Sequence, residues 1–202
     1  MTISTYTDLQ TSIGNWLHRS DLATIIPDFI TLAEERLTRD LRARSMEKRA
    51  SALTIVSNAY LGLPGDVEEV RRLIVTSTDP KLLLKYKTPD EIQRIWPNAT
   101  TGQPVHFTII GNEIQFGPIP DLAYTLELTY RQSIPSLTNA SPTNWLITAY
   151  PDIYLAACML SAQGYIKDDT SLARWHNLYQ EGIDSINKVD WYTGSTMAVS
   201  HD

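Results

Sequence analysis

Few residues in this 202-residue chain have the chemistry for catalysis or metal binding, and they do not converge on one site. The four histidines stand far apart, without the spacing to cysteine or carboxylate that metal sites show: His18, His106, His176 and His201. The single cysteine, Cys158, lies in an apolar segment, which is typical of an inert core thiol. No glycine-rich phosphate loop or nucleophile elbow occurs. The sequence therefore predicts no catalytic residue, no metal site and no cofactor.

The composition is that of a globular protein, and it argues against several other classes. Hydrophobic residues make up 43% of the chain and charged residues 20%, which argues against disorder. The formal net charge is -6, so no general basic bias favours nucleic acid as a partner. One cysteine cannot form an intrachain disulfide, which fits folding in a reducing cytoplasm. The N-terminus lacks a signal-peptide pattern, and no apolar run approaches the roughly 18 residues of a membrane span.

Two helices are predicted in residues 1–48. The first starts near Thr5, which forms a weak capping-box pattern with Asp8, and the second begins at Pro27. The second helix has one apolar stripe, and its charged residues are expected on the other faces. The stripe is Ile30, Ala33, Leu37 and Leu41, and the charged residues are Glu34, Glu35, Arg36, Arg39 and Asp40.

A basic cluster is predicted at the distal end of the second helix. It consists of Arg39, Arg42, Arg44, Lys48 and Arg49. One interpretation is a solvated face whose cations suit a helix C-terminus, and the interleaved Asp40 and Glu47 favour it. The other interpretation is a contact with an acidic partner or with DNA phosphates.

Residues 49–133 form a predicted β-rich insertion with one short helix that begins at Thr88. Its clearest signal is Val105–Gln132, which indicates two strands around a Gly111-Asn112 turn, a Gly-Pro-x-Pro corner and a third strand with one buried face. A polar loop, the best candidate for a mobile tip, precedes it. The weaker predictions in the insertion are a hairpin over Arg49–Pro64, a helical turn over Val67–Val70, and the polar loop at Asn98–Pro104.

Residues 134–188 supply two more predicted helices after a proline-stiffened connector. Pro151–Tyr165 is apolar on nearly every side, which is typical of a helix buried all round or placed at a subunit interface. The last helix is capped by Asp168-Asp169, and residues 189–202 are predicted to be a polar tail with Trp191 and Tyr192 as anchors. The predicted fold is α+β: mainly an α-helical bundle with a central antiparallel β-sheet insertion, in a single domain over residues 1–202.

Several stretches together resemble the head-to-tail adaptor (connector) proteins of tailed bacteriophages. The resemblance rests on their order and spacing up to the last helix, and it leaves out the tail after Val189. The stretches are YTDLQTSIGNWLHRSDL, IPDFITLAEERLTRDLR, LPGDVEEVRRL, TIIGNEIQFGPIPDLAYTLELTYRQSIPSLT, NASPTNWLITAYPDIYLAACML and KDD.

The resemblance implies a virion structural protein made in the host cytoplasm and located at the head-tail junction, and not an enzyme. Such a protein forms a twelvefold ring with copies of itself beneath the portal protein. The ring extends the DNA channel, through which DNA passes without specific binding, and offers a platform to tail or nozzle proteins. No membrane is implied. The basic cluster, Trp191 and Tyr192 are then expected to contact protein partners.

Two other classes remain open at this point. One is another tail or tail-completion structural protein, which ring symmetry and direct portal binding would separate from an adaptor. The other is a nucleic-acid-binding protein, which the net acidic charge disfavours.

Overall fold

The computed structural model describes residues 2–98 and 100–195. Within these residues the helices are α1 (Tyr6–Leu17), α2 (Ile26–Asp40), α3 (Pro89–Ile95), α4 (Trp145–Ala149), α5 (Pro151–Ile166) and α6 (Asp169–Ser195). A short 3-10 helix spans Arg44–Met46. The strands are β1 (Glu47–Leu53), β2 (Tyr60–Gly62), β3 (Val67–Val75), β4 (Leu82–Leu83), β5 (Lys85–Tyr86), β6 (Thr101–Gly102), β7 (His106–Ile110), β8 (Glu113–Gly117), β9 (Ile119–Pro120) and β10 (Thr125–Gln132).

The chain folds into two compact units, each with its own apolar core. The helical unit runs up to Met46 and resumes at Ile134, and the β unit is Glu47–Ser133. The β unit also contains α3. The α+β class predicted from the sequence is confirmed.

The first helices begin where local capping chemistry predicts. At the start of α1, Thr5 Oγ1 accepts a hydrogen bond from the Asp8 backbone N–H at 3.2 Å, and the Asp8 carboxylate accepts one from the Thr5 N–H at 3.1 Å. These two bonds satisfy donors that the first helical turn leaves unpaired. In α2, Pro27 lies in the first turn, where its missing N–H costs nothing.

The apolar helix α5 is buried along most of its length within the helical unit, with exposed residues only near its two ends. Ten of its sixteen residues are buried, and Tyr154, Ala157, Cys158 and Ala162 have no exposed surface. It packs against α2 and α6. Of the two interpretations open for Pro151–Tyr165, burial within the chain's own core accounts for the composition without a neighbouring subunit.

Helix α6 crosses α5 at a close approach and extends further than predicted. Tyr179, Ile183 and Ile186 form its buried stripe, and Gly182 lies against the side chain of Ile153. The helix continues past Lys188 to Ser195, so the expected start of a tail at Val189 is wrong.

The larger sheet of the β unit has the order β1-β10-β3-β4, with antiparallel pairs throughout. Strand β10 is central, and its alternate residues Leu126, Leu128 and Tyr130 are buried, as its pattern predicts. Strand β1 lies at one edge and is exposed along nearly its whole length.

A second sheet has the order β2-β8-β7-β5, and β6 pairs with β9 in a third. The turn between β7 and β8 contains Gly111 at φ +60°, a conformation that favours glycine, so the Gly111-Asn112 turn is confirmed. The pairs β5–β7 and β6–β9 are parallel, so the prediction of a purely antiparallel insertion is wrong.

Three local predictions in the β unit are also wrong. The expected hairpin over Arg49–Pro64 does not form, because β1 pairs with β10 whereas β2 pairs with β8. Val67–Val70 is not a helical turn but the start of β3, which pairs with β10 through register shifts. The polar loop at Asn98–Pro104 includes β6, whose pairing with β9 ties it to the unit. In each case the deciding partner is distant in sequence.

The close approach of α6 to α5 predicts opposite effects for two glycine substitutions. A Cβ on Gly182 would lie 2.6 Å from Ile153 Cγ1, whereas a Cβ on Gly164 would meet nothing within 4 Å. We expect Gly182→Ala to lower the free energy of unfolding by roughly 1–3 kcal/mol through overpacking. Gly164→Ala should raise it by up to about 1 kcal/mol through helix propensity. Urea denaturation measures the free energy of unfolding of both variants. An equal change in the two variants would contradict the close packing of Gly182 against Ile153.

Candidate functional site

The predicted basic cluster does not form one continuous helix end, because α2 ends at Asp40. Arg39, Arg42 and Arg44 belong to the helical unit, whereas Lys48 and Arg49 are residues of β1 in the β unit. Arg39 lies in the last turn of α2 and is exposed, and Arg44 lies in the 3-10 helix and is also exposed.

Arg42 is occupied in closing the C-terminus of α2. Its guanidinium Nη1 donates to the carbonyl oxygens of Arg39 at 2.7 Å and Leu41 at 2.8 Å. Its backbone N–H donates to Asn187 Oδ1 at 2.9 Å, and Asn187 Nδ2 donates to the carbonyl of Asp40 at 3.2 Å. A cation suits this position because the helix dipole places partial negative charge there. The geometry thus supports a helix-capping role for this one member of the cluster.

Lys48 and Arg49 point to opposite faces of β1 and each meets an acidic side chain. Lys48 Nζ lies 2.8 Å from Asp66 Oδ2, and Tyr130 Oη donates to the other oxygen, Asp66 Oδ1, at 2.9 Å. Burial acts to raise the pKa of Asp66, but the bonds from Lys48 and Tyr130 outweigh it and hold that pKa below its usual value. Arg49 lies 3.6 Å from Glu127 and is largely exposed.

The proposed anchors Trp191 and Tyr192 lie in the last part of α6. Their side chains fall outside the described residues, so their contacts stay a prediction. Among the histidines, His201 lies outside the described residues, and His106 belongs to the β unit, whereas His18, His176 and Cys158 belong to the helical unit. Among the residues that the structure describes, no group of three or more His, Cys, Asp and Glu side chains is placed to hold a metal ion. Cys158 is fully buried in α5, and burial raises the pKa of its thiol.

Sequence reasoning missed a buried carboxylate, Glu34, which it had assigned to an outer face of α2. Glu34 is buried, and its Oε1 accepts hydrogen bonds from Tyr154 Oη at 2.6 Å and from the Leu137 N–H at 2.7 Å. A signal was available, because position 34 lies one turn after Ile30 and just before Leu37, inside the apolar stripe.

The neighbours of Glu34 extend this network into the connector between the β unit and α4. Asn144 Nδ2 donates to the Pro135 carbonyl at 2.8 Å, and Asn144 Oδ1 accepts from the Ile147 N–H at 2.9 Å. One turn along α2, Thr38 Oγ1 accepts from the Ile134 N–H at 3.3 Å. Burial raises the pKa of Glu34, and the hydrogen bonds from Leu137 and Tyr154 oppose that rise. Burial and then the Glu34 carboxylate raise the pKa of Tyr154.

The β unit also displays an exposed apolar patch that the sequence analysis read as strand and turn. The patch consists of Leu53, Ile55, Val56 and Leu122, and each of these side chains is more than half exposed. Buried Thr54 joins the two segments: its N–H donates to the Tyr124 carbonyl at 2.9 Å and its Oγ1 donates to the Leu122 carbonyl at 3.0 Å. The Tyr124 N–H in turn donates to Thr54 Oγ1 at 2.8 Å, so the patch has a fixed backbone.

In a comparison with models of protein families, the model of the SU10 adaptor protein family matches residues 4–200 of the chain. The chain belongs to the SU10 adaptor protein family. The match includes the segment after Val189 that the resemblance had left out. A search of curated proteins found no match.

Membership of the SU10 adaptor family makes the chain a phage structural adaptor protein. It implies a non-enzymatic protein with a location in the virion. None of the helices in the part of the chain that the structure describes is long and apolar enough to cross a membrane.

Replacing Glu34 by Gln should change how the free energy of unfolding of the adaptor depends on pH. The pKa of Glu34 in the folded chain is raised above its ordinary value of 4.5. The stability that protonated Glu34 contributes is therefore fully present below pH 4.5 and is lost as the pH rises through the folded pKa. We therefore expect the stability of the natural chain, relative to Glu34→Gln, to fall as pH rises from below 4.5 towards neutrality.

Denaturant unfolding at a series of pH values measures this difference. Glu35→Gln is the control, because it removes an acidic group of the same type from an exposed neighbouring position. If the natural chain instead became more stable relative to Glu34→Gln as the pH rises, the assignment would be contradicted.

Proposed function

We propose that this chain is a head-to-tail adaptor whose copies form a ring, twelvefold by resemblance, beneath the portal of a DNA-filled head. The ring extends the DNA channel and gives tail or nozzle proteins a docking platform. The match to the SU10 adaptor family over nearly the whole chain carries the proposal. The helical and β units act together as one adaptor subunit.

The distribution of charge supports a role as a channel component. The net charge of -6 makes the chain acidic, and carboxylates that line a channel repel DNA phosphates. DNA then slides past without specific binding. Exposed cations such as Arg39 are then left to contact protein partners.

The decisive experiment is an electron micrograph of the assembly that contains this chain. The proposal expects a ring seated directly on the portal with tail components on its far side. A tail tube or a completion cap without portal contact would instead support another tail structural protein. A salt-dependent DNA-binding assay separates the remaining class, and the proposal expects only weak binding at physiological salt.

Reversing Arg39 and Arg44 to Glu should weaken docking of the ring to the portal. The variant leaves Arg42 in place, because that side chain closes α2 and its loss would perturb the fold. If the two arginines meet an acidic face of the portal, we expect roughly a tenfold loss of affinity that shrinks at high salt.

Portal binding at two salt concentrations measures this effect. Arg94→Glu is the matched control, since Arg94 is an exposed arginine in the last turn of α3 in the β unit. Normal portal binding by the double variant would exclude Arg39 and Arg44 from the interface.

Deleting Val189–Asp202 should reduce portal affinity while leaving the helical core intact. The deletion spares Ile186, the last buried residue of the α6 stripe among those whose burial the structure describes, and Asn187, which holds the C-terminus of α2. A shorter deletion of 196–202 keeps Trp191 and Tyr192 and is expected to retain most of the affinity. Calorimetric unfolding checks the core, and unchanged portal affinity in the longer deletion would refute this role.

A further inference from the structure

Strand β1 forms one edge of the larger sheet, with β10 on one side and, among the described residues, no strand on the other. Its seven residues pair with β10 in an unbroken register. In an antiparallel pair, residues that bond to the partner strand alternate with residues whose backbone groups point away from it. The Thr54 N–H donates to the Tyr124 carbonyl at 2.9 Å, which sets the phase of this alternation. The even-numbered residues 48–52 therefore bond to β10.

The odd-numbered residues of β1 direct their N–H and C=O groups away from β10. Within the part of the chain that the structure describes, no backbone group bonds to them on that side. Such an edge can pair with another extended chain, and proteins commonly block it with proline, a bulge or charged side chains. Strand β1 contains no proline, and its pairing with β10 has no register shift. Charge is therefore the only one of these blocking features that β1 has.

The charges of β1 protect only its first half. Lys48 is already paired with an acid of the same unit, and Arg49 is the cation that remains at the edge, with its side chain 72% exposed. Glu127 lies 3.6 Å from Arg49, so the guanidinium has donors left for a second carboxylate. Residues 50–53 carry no charge, and Leu53 is 59% exposed. The second half of the edge is thus open to pairing.

The side chains of β1 define the segment that this edge accepts. On one face, a carboxylate beside Arg49 and an apolar side chain beside Leu53 are the favourable cross-strand neighbours. On the other face, Ala50 and Ala52 are small, and Ala50 packs against the apolar core of the β unit. An added strand can therefore place apolar side chains over them. The edge fits an extended, mostly apolar protein segment with an acidic residue, whereas DNA has no backbone N–H and C=O groups to pair with it.

We propose that β1 binds an extended segment of the tail protein that docks on the ring, as an added strand of the larger sheet. Pairing of β1 with β1 of a second copy would use the same surface on both copies, whereas a ring needs two different surfaces. The proposed portal contacts at Arg39, Arg44 and the end of α6 belong to the helical unit, which leaves the β unit for the tail. This inference rests on the proposed function.

Amide hydrogen exchange at single-residue resolution tests the added strand on the full-length chain. In the ring bound to portal alone, we expect the amides of Ser51 and Leu53 to exchange fast, and those of Ala50 and Ala52 to exchange slowly because they bond to β10. Binding of the tail purified from the same virus should slow Ser51 and Leu53 by at least roughly tenfold. Unchanged exchange of these two amides in the tail complex would overturn the inference.

A proline at the edge gives an independent readout. The Ser51 N–H points away from β10, so Ser51→Pro removes no hydrogen bond of the fold but blocks the edge. We expect at least roughly a tenfold loss of affinity for the purified tail, measured by light scattering, with portal binding unchanged. Ser51→Ala is the matched control, because it keeps the N–H. Equal tail affinity of the two variants would overturn the inference, and the exchange experiment on the natural chain decides if Ser51→Pro does not fold.

The outcomes separate this inference from the proposed function. Slow exchange of Ser51 and Leu53 in the ring without tail would assign the edge to a second copy or to the portal, and would overturn the inference while leaving the adaptor role standing. A chain that forms no ring, or a ring that binds neither portal nor tail, overturns the proposed function itself.

Discussion

One buried carboxylate determines the path of the chain through the helical unit. A charged group in an apolar core is costly unless hydrogen bonds satisfy it, and Glu34 meets this condition through Tyr154 Oη and the Leu137 N–H. The two donors come from α5 and from the connector, so the three segments are held together at one point. Thr38 repeats the arrangement one turn later with the Ile134 N–H. The re-entry of the chain into the helical unit is thus fixed by the polar residues of α2.

Local chemistry predicted the helices well and the strands only in part. The capping boxes at Thr5 and Thr88 need only residues three positions away, and both are present. Strand pairing depends on distant partners: β1 looked like half of a hairpin, but eight strands lie between it and its partner β10. The alternation in β10 was readable because Leu126, Leu128 and Tyr130, on one face of the strand, belong to the apolar core of the β unit. Glu34 was misplaced because its acidity was weighed above its position in the stripe.

The candidate surfaces were predictable as residue types but not as geometry. The sequence showed that cations cluster between Arg39 and Arg49, but it did not show that Arg42 turns back onto the α2 carbonyls or that Lys48 meets Asp66. The exposure of the apolar patch was not predictable for a different reason. Leu53, Ile55 and Val56 have the pattern of strand residues, and their exposure follows from the hydrogen bonds of Thr54 to a segment far along the chain.

A core that is complete within one chain constrains how an adaptor subunit can bind its neighbours. Helix α5, the most apolar segment, is largely covered by α2 and α6, and its exposed residues lie near its two ends, at Asp152, Gly164 and Tyr165. Contacts between copies must then use side chains that folding leaves exposed, and the acidity of the chain disfavours most of the charged surface for contact with itself. The basic residues are better suited to a partner of different charge, which separates contacts within the proposed ring from contacts with the portal.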